Sequence, residues 1–328
     1  MAEGLRWRKW YNPETMKRIR VKFTDYYGMP PERIPFYGIL RKFYDVELSD
    51  DPDYVIDGGL GSDHLRYDCV KIVCVGESYV PDFNQFDYAI GFDHLEFGDR
   101  YLRHPLFALY PQFGSLACRP VPDPAKLLNR GVCSCVVSND DGDPMRVEFF
   151  RRLSRYKPVA SGGKLLNNVG GCVPDKMAFI SNYKFNIAFE NSAVPGYTTE
   201  KVMETLAAGS VPIYYGNPRL EEDFHPDCLV RVAGRADVER AVEEIVALDR
   251  DDDAYLRKCA AEPLVHSVGW YGERLERFVR HVFDQPLEEA RRLNAYGYQT
   301  NIRRRAIKAE SLYLWTHPGK LIRRWRGK

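Results

Sequence analysis

Two positively charged residues stand where helix dipoles disfavour them. Lys201 falls in the first turn of a helix expected over Thr199–Ala208, and Arg146 in the first turn of one expected over residues 144–155. A first-turn cation is unfavourable by about 0.3–1 kcal/mol unless an anion shares that helix end. Each helix follows a nearly continuous apolar run with a polar carboxyl end: Phe185–Phe189 before Glu190 and Asn191, and Val132–Val137 before Ser138 and Asn139. Such runs suit parallel strands covered on both faces, and open α/β sheets bind ligands at the carboxyl ends of their strands. Asp143 and Pro144 make a fitting N-cap and first residue for the second helix. Either cation alone is explained by pointing into water. Two in the same setting favour a shared phosphate or diphosphate site.

A carboxylate completes the set. The apolar run Val70–Val75 ends in Gly76-Glu77-Ser78. Glu77 is thereby placed as a general base, with burial raising its pKa toward use; the alternative is an ordinary strand-end glutamate in solvent. Gly162 and Gly163, after a short strand at 158–160, leave room for a ligand or make a plain turn.

These residues need sheets to hold them. At 328 residues, two domains are expected. In the first half, strands are expected at 19–23, 44–48, 54–56, 70–75 and 86–92, with a helix over 35–43. A Pro-rich irregular stretch follows, and the boundary falls within 105–131. The second half alternates strands at 132–137, 158–160, 185–189, 211–215 and 228–232 with helices at 144–155, 175–181, 199–208 and 236–248. Two more helices follow near 252–261 and 270–283. The pattern implies an α/β protein of two doubly wound domains facing a cleft. Gly58-Gly59-Leu60-Gly61 has half of a dinucleotide fingerprint and reads as a turn. Asp51-Pro-Asp53, Asp141-Gly-Asp143 and Asp251-Asp-Asp253 suit turns and caps better than metal.

Composition narrows the class. The eight cysteines contain no CxxC and the seven histidines no zinc-type spacing, so reduced core thiols and no metal centre are expected. No leader and no membrane span is evident. Residues 301–328 carry nine Lys or Arg against Glu310, a charge of +8, whereas the rest carries −7. Trp315, Trp325 and several leucines lie among those charges. Such a tail suits an anionic membrane surface; nucleic acid and folding back on the body are the rivals.

The segment Phe189–Pro218, FEN-x4-GYTTEK-x9-VPIYYGNP, together with VVSN at 136–139, SGG at 161–163, GES at 76–78 and FDYAIGFD-x6-RYLRHP at 86–105, resembles the bacterial α-1,3/1,4-fucosyltransferases of glycosyltransferase family 10. The resemblance is good over roughly 65–285 and weak over the first 60 residues. It implies a GT-B fold: an acceptor domain over 1–125, a GDP-fucose-binding domain over 126–284, and a basic amphipathic tail over 285–328. The donor would be GDP-β-L-fucose, a co-substrate with no further cofactor required. Fucose would move with inversion to O3 of GlcNAc or Glc in a lactose or N-acetyllactosamine-type acceptor, such as a Lewis-type core. Glu77 would be the base, and Arg146 and Lys201 would contact the diphosphate. Asn191, Tyr197 and Glu200 would line the donor pocket, counted with Ser138, Asn139 and Gly163. Expected partners are the donor, an oligosaccharide and an anionic membrane reached through the tail, with no nucleic acid, in a cytoplasmic protein at the inner membrane. The alternatives are a GT-B transferase with another nucleotide sugar and an inactive nucleotide- or glycan-binding protein. The seven-residue repeats of some relatives have no clear counterpart in 284–300.

Overall fold

The structure is a computed structural model that describes residues 16–118, 123–139, 142–293 and 298–318. The chain divides into two compact units. The first holds residues up to Gly91, Phe97–Leu102 and Glu276 onward; the second holds Phe92–Glu96 and Arg103–Leu275.

The first unit is built on a six-stranded sheet: β1 (Arg18–Thr24), β2 (Asp45–Leu48), β3 (Tyr54–Asp57), β4 (Val70–Cys74), β5 (Tyr88–Gly91) and β6 (Tyr101–Arg103), in the order β2-β1-β3-β4-β5-β6. Strands β1 to β5 pair in parallel. One short helix, α1 (Pro35–Leu40), lies between β1 and β2. β3 and β4 are buried at every residue, as expected for strands covered on both faces. The strand order reverses between β1 and β3, making a topological switch point there.

A buried polar cluster closes that point. Asp57 accepts from the Thr24 hydroxyl at 2.6 Å and from the Gly59 N–H at 2.6 Å. His64 Nδ1 lies 3.3 Å from Asp57 and 3.9 Å from Asp25, and its Nε2 lies 3.3 Å from Gln85 Oε1. The glycine run 58–61 is the expected turn. A Cβ at Gly59 would lie 1.2 Å from the Tyr79 hydroxyl, and its φ of +82° favours glycine in any case.

The second unit carries β7 (Gly131–Cys135), β8 (Val159–Ser161), β9 (Tyr183–Phe189), β10 (Val211–Tyr215) and β11 (Val230–Arg231), all parallel, in the order β11-β10-β9-β7-β8. Counted from β7, this is the doubly wound order 2-1-3-4-5, with its switch point between β7 and β9. Seven helices accompany the strands: α2 (Pro124–Leu128), α3 (Met145–Leu153), α4 (Lys176–Ile180), α5 (Glu200–Ala207), α6 (Val238–Arg250), α7 (Asp252–Ala260) and α8 (Val268–Asp284), the last shared with the first unit.

Two boundaries differ from expectation. The Pro-rich stretch expected to be irregular and to hold the boundary contains 3₁₀ turns at Leu106–Leu109 and Pro111–Cys118. Its Phe107, Phe113 and Leu116 bury against Val202, Met203 and Leu206 of α5, so it joins the second unit. Residues 276–284 leave the expected 126–284 domain for the first unit. There Phe283 packs on Tyr54 with ring centroids 4.5 Å apart, and the Tyr44 hydroxyl reaches Asp284 at 2.7 Å. Asp87, fully buried, then accepts from the N–H groups of Lys71, Arg292 and Leu293 at 2.7 Å each. Beyond α9 (Leu287–Ala290), the tail forms α10 (Tyr298–Thr316). At about 100° per residue, Arg304, Lys308, Ser311 and Trp315 share one side of that helix. Charged and apolar groups therefore mix within α10, in the tail expected to be basic and amphipathic; residues 319–328 lie outside the described residues. No described helix is long and apolar enough to cross a membrane.

Burial opposes protonation of His64, but Asp25 and Asp57 outweigh it and push the imidazole from 6.5 up to about 9. The folded value is raised, so this contribution to stability is complete below pH 6.5 and disappears as pH climbs through 9. Wild-type protein should lose roughly 3 kcal/mol of unfolding free energy across that window, and His64→Gln should lack this part of the slope. Urea denaturation at pH 6 and 9.5 measures both; equal slopes would remove His64 from the pH dependence.

Candidate active site

Local sequence explains the helix start at α5. Phe189 ends β9, and Glu190 follows with its side chain fully buried. Its carboxylate accepts from the Thr199 N–H at 2.8 Å and the Thr199 hydroxyl at 2.7 Å, and pairs with Lys201 Nζ at 2.8 Å. The anion demanded by a first-turn lysine is thus supplied from within the chain. Thr199 is the N-cap residue, but its side chain caps no helical N–H; Glu190 satisfies the Thr199 N–H in the first turn instead. Burial lowers the Lys201 pKa, but Glu190 and Glu200 outweigh it and hold it above the ordinary value. For Glu200, burial acts upward and is outweighed by Lys201 and Lys176, which hold the carboxyl below its usual range.

Arg146 is built differently. It lies in the first turn of α3, after Asp143, whose carboxylate accepts from the Met145 N–H at 2.9 Å and from the Tyr215 hydroxyl at 2.7 Å. Pro144 stands one residue before the helix rather than as its first residue. The guanidinium is buried and donates to Asn191 Oδ1 at 2.5 Å and to the Asn139 carbonyl at 3.2 Å. Both acceptors are neutral, and the buried Nε has no hydrogen-bond partner among the described residues. Burial pulls its pKa below the usual arginine value; the Glu190 charge, the largest opposing influence, does not restore it. A buried cation whose hydrogen-bond partners among the described residues are neutral oxygens, with one donor unused, is suited to an incoming anion.

The expected residues mostly gather at the switch point between β7 and β9. Arg146, Asn139 and Asn191 are joined directly, and Lys201 adjoins Glu200. Tyr197 is buried with its ring edge-on to Phe92 at 5.1 Å. Gly163 brings the loop after β8 against the end of β7: a Cβ there would lie 2.0 Å from the Val137 carbonyl. Ser138 accepts from the Lys164 N–H at 3.4 Å. Glu77 is in the first unit and is exposed rather than buried as expected. Its charge reaches the phenols of Tyr27 and Tyr79, both held above the usual range by burial first and by neighbouring charge second.

The sequence reading treated Glu190 as turn polarity and missed its role. The signal was present: a carboxylate directly after a fully apolar strand, with a lysine in the following first turn. It also missed Asn217, which binds the Gly196 N–H at 2.7 Å and Thr198 at 3.0 Å and so fixes the loop carrying Tyr197. Among the described residues, the group suited to a metal ion is Asp25, Asp57 and His64, with ligand atoms within 4.8 Å of one another. Its imidazole already sits against both carboxylates.

Two family models match the chain: the alpha-(1,3)-fucosyltransferase FucT N-terminal domain over residues 21–110, and the glycosyltransferase family 10 (fucosyltransferase) C-terminal model over 128–259. An alpha-(1,3)-fucosyltransferase FucT of Helicobacter pylori is 34% identical over 267 residues, which are 70% of this chain and 56% of that protein. An Arabidopsis thaliana alpha-(1,4)-fucosyltransferase is 32% identical over 132 residues, 34% of this chain and 33% of that protein. The chain thus spans about half, or less, of these curated relatives. A crystal structure of an alpha1,3-fucosyltransferase with GDP-fucose has a TM-score of 0.70 at 26% identity, covering 85% of this chain and 95% of that one. The HepE protein of Anabaena, solved with UDP and glucose, has a TM-score of 0.50 at 9% identity, covers 80% of this chain and 100% of its own, and shares the GT-B fold alone. The second family model spans every residue assembled at the β7–β9 switch point, and the first spans Glu77. The chain belongs to glycosyltransferase family 10, the fucosyltransferases.

Proposed function

We propose that the chain is an inverting fucosyltransferase that moves L-fucose from GDP-β-L-fucose to a hydroxyl of a lactose or N-acetyllactosamine-type acceptor, O3 of GlcNAc or Glc. The observation that carries this reading is Arg146, buried at the switch point with, among the described residues, an unused donor and neutral hydrogen-bond partners. The family relation supplies the sugar and the base.

In this mechanism Glu77 accepts the proton of the attacking hydroxyl. That oxygen bonds to the anomeric carbon as the bond from this carbon to the diphosphate oxygen breaks. GDP leaves with the electron pair from the opposite face, so the configuration inverts. Arg146 donates to the diphosphate through Nε. Lys201 shares its charge between Glu190 and the phosphate oxygens, and the first N–H groups of α5 add their partial positive charge. Fixed charge takes the place that a metal has in other transferases. Asn191, Tyr197, Glu200, Ser138, Asn139 and Gly163 shape the donor pocket in this reading.

The tail is read as a membrane contact. Its support is the +8 charge of residues 301–328 and the exposure of Leu312, Tyr313 and Trp315, the last 78% exposed. Basic residues near an anionic leaflet contribute about 1 kcal/mol each. Mixed faces on α10 favour this charge-led association over insertion of an apolar face. The enzyme would then work at the cytoplasmic face of a bacterial inner membrane, on lipid-linked or surface glycans.

Three measurements test this. Glu77→Gln should keep GDP affinity and lose transfer by about 10²–10⁴-fold; activity within a few-fold of wild type would take Glu77 out of the mechanism. Arg146→Ala and Lys201→Ala should each weaken GDP binding by roughly 1.5–3 kcal/mol in calorimetry, and unchanged affinity in both would misplace the diphosphate. Deleting residues 301–328 should abolish salt-sensitive co-sedimentation with anionic vesicles and leave GDP affinity intact. Equal, salt-insensitive pelleting of both chains would rule out the electrostatic contact.

A further inference from the structure

The first unit has its own switch point, between β1 and β3, and the chain is strained there. After Thr24 ends β1, Asp25 has φ +60°, Tyr27 φ +53° and Gly28 φ +72°. Gly28 adopts that state freely. Asp25 and Tyr27 do not, and a left-handed residue costs about 1–2 kcal/mol. The bulky Tyr27 regains little of this by packing, because it is 80% exposed.

The surrounding structure enforces the conformation. The Asp25 carboxylate accepts from the Asp63 N–H at 2.9 Å. Its carbonyl oxygen lies where a Cβ of Gly58 would approach to 2.6 Å, and its carboxylate lies 2.0 Å from where a Cβ of Gly61 would stand. Met29 N–H closes the turn on the Tyr26 carbonyl at 2.9 Å. Tyr26, next in the chain, turns inward and sits edge-on to Phe23 at 6.0 Å. Tyr27 is therefore turned outward by a braced loop.

Two neighbours give that ring a setting. Tyr79 lies over Gly59, and Glu77, two residues before Tyr79, acts on Tyr27 through its charge. The same loop walls a cavity of about 660 Å³ through Asp25, Tyr26, Gly28 and Met29, the residues flanking Tyr27 in the chain, with Lys22 and Arg66 also lining it. The charges there are largely paired: Lys22 with Asp50 at 2.6 Å and Arg66 with Asp63 at 3.3 Å. Paired charges offer donors and acceptors to hydroxyl groups without selecting an ion. An exposed aromatic face suits the C–H face of a pyranose, whose polarised C–H bonds meet the negative ring face.

We propose that Tyr27 is an acceptor-specificity residue: a neutral sugar stacks on its ring with its nucleophilic hydroxyl at Glu77, and the rest of the oligosaccharide extends into the adjoining cavity. This rests on the transferase reading and deepens it. A folding role alone does not account for the residue, because glycine or asparagine would hold the same backbone at lower strain.

That difference makes the test clean. Tyr27→Asn and Tyr27→Gly suit the backbone and should fold at least as stably as wild type. Each should raise the KM for N-acetyllactosamine by roughly tenfold, one lost stacking contact. GDP affinity and acceptor-free hydrolysis of GDP-fucose should stay within about twofold of wild type. Tyr27→Phe and Tyr27→Trp keep the ring and should stay within about threefold of the wild-type KM. Binding of N-acetyllactosamine in the presence of GDP, followed by saturation-transfer NMR, gives a readout free of turnover. A wild type that binds and a Tyr27→Asn chain that binds equally well overturns the proposal alone. A wild type that transfers fucose with a KM unmoved by Tyr27→Asn does the same. A wild type that neither binds nor fucosylates such acceptors overturns the proposal together with the function it rests on.

Discussion

The second unit depends on one buried carboxylate. Glu190 has no solvent to hydrate it, and an unpaired charge in that position would be too costly to keep. Thr199 and Lys201 answer it, and in doing so they fix where α5 begins and how it meets β9. The same contacts place a cation at the positive end of a helix, which is tolerable only because the carboxylate is there. A second buried thread runs parallel. Ser134 donates to Asn186 at 2.9 Å, Asn186 to Thr205 at 2.8 Å, and Thr205 to the Lys201 carbonyl at 2.7 Å. Strand β7, strand β9 and helix α5 are thereby tied in sequence, and Lys201 is held at its backbone as well as its tip. Among the described residues Arg146 has no carboxylate hydrogen-bonded to it in this way; its acceptors are Asn191 and the Asn139 carbonyl.

What could be read beforehand followed from periodicity. The continuous apolar runs at 70–75, 185–189 and 211–215 gave buried parallel strands, because strands covered on both faces have no polar side to show. The helix from Thr199 was legible for the opposite reason, since its apolar residues recur with the helical period. Asn186 broke the pattern without a visible motive; its partners Ser134 and Thr205 lie 52 and 19 residues away. Glu190 was hidden in the same way, its meaning residing in partners across a loop. The Pro-rich stretch misled because prolines signal irregular backbone but say nothing about burial. Phe107 and Phe113 were the better guide, since aromatic side chains that large are seldom left in water.

The two sheets repeat one design at different ends of the chain. Each runs 2-1-3-4-5 from its first strand, and each gathers charge and glycine where the order reverses. In the first, Asp57, Asp25 and His64 brace a loop; in the second, Glu190, Lys201 and Arg146 arrange cations. No repeat is evident in the sequence, because what recurs is the order of strands and not the residues that line them. The shared feature is geometric: diverging loops open a crevice only where neighbouring crossovers leave in opposite directions.

The pinning of Arg292 and Leu293 by Asp87 governs the order in which the molecule can be assembled on the ribosome. Asp87 waits for partners 205 and 206 residues downstream, and Tyr54 waits longer still for Phe283. The second unit is contiguous from Arg103 to Leu275 and needs nothing later in the chain than its own last helix. Synthesis runs from the amino end, yet the first unit's sheet must expose part of its apolar face until the residues around 283–293 have emerged. Contacts of such long separation close slowly. The usual sequence of amino-terminal domain first is inverted, and the early sheet is the part of this protein most in need of a chaperone.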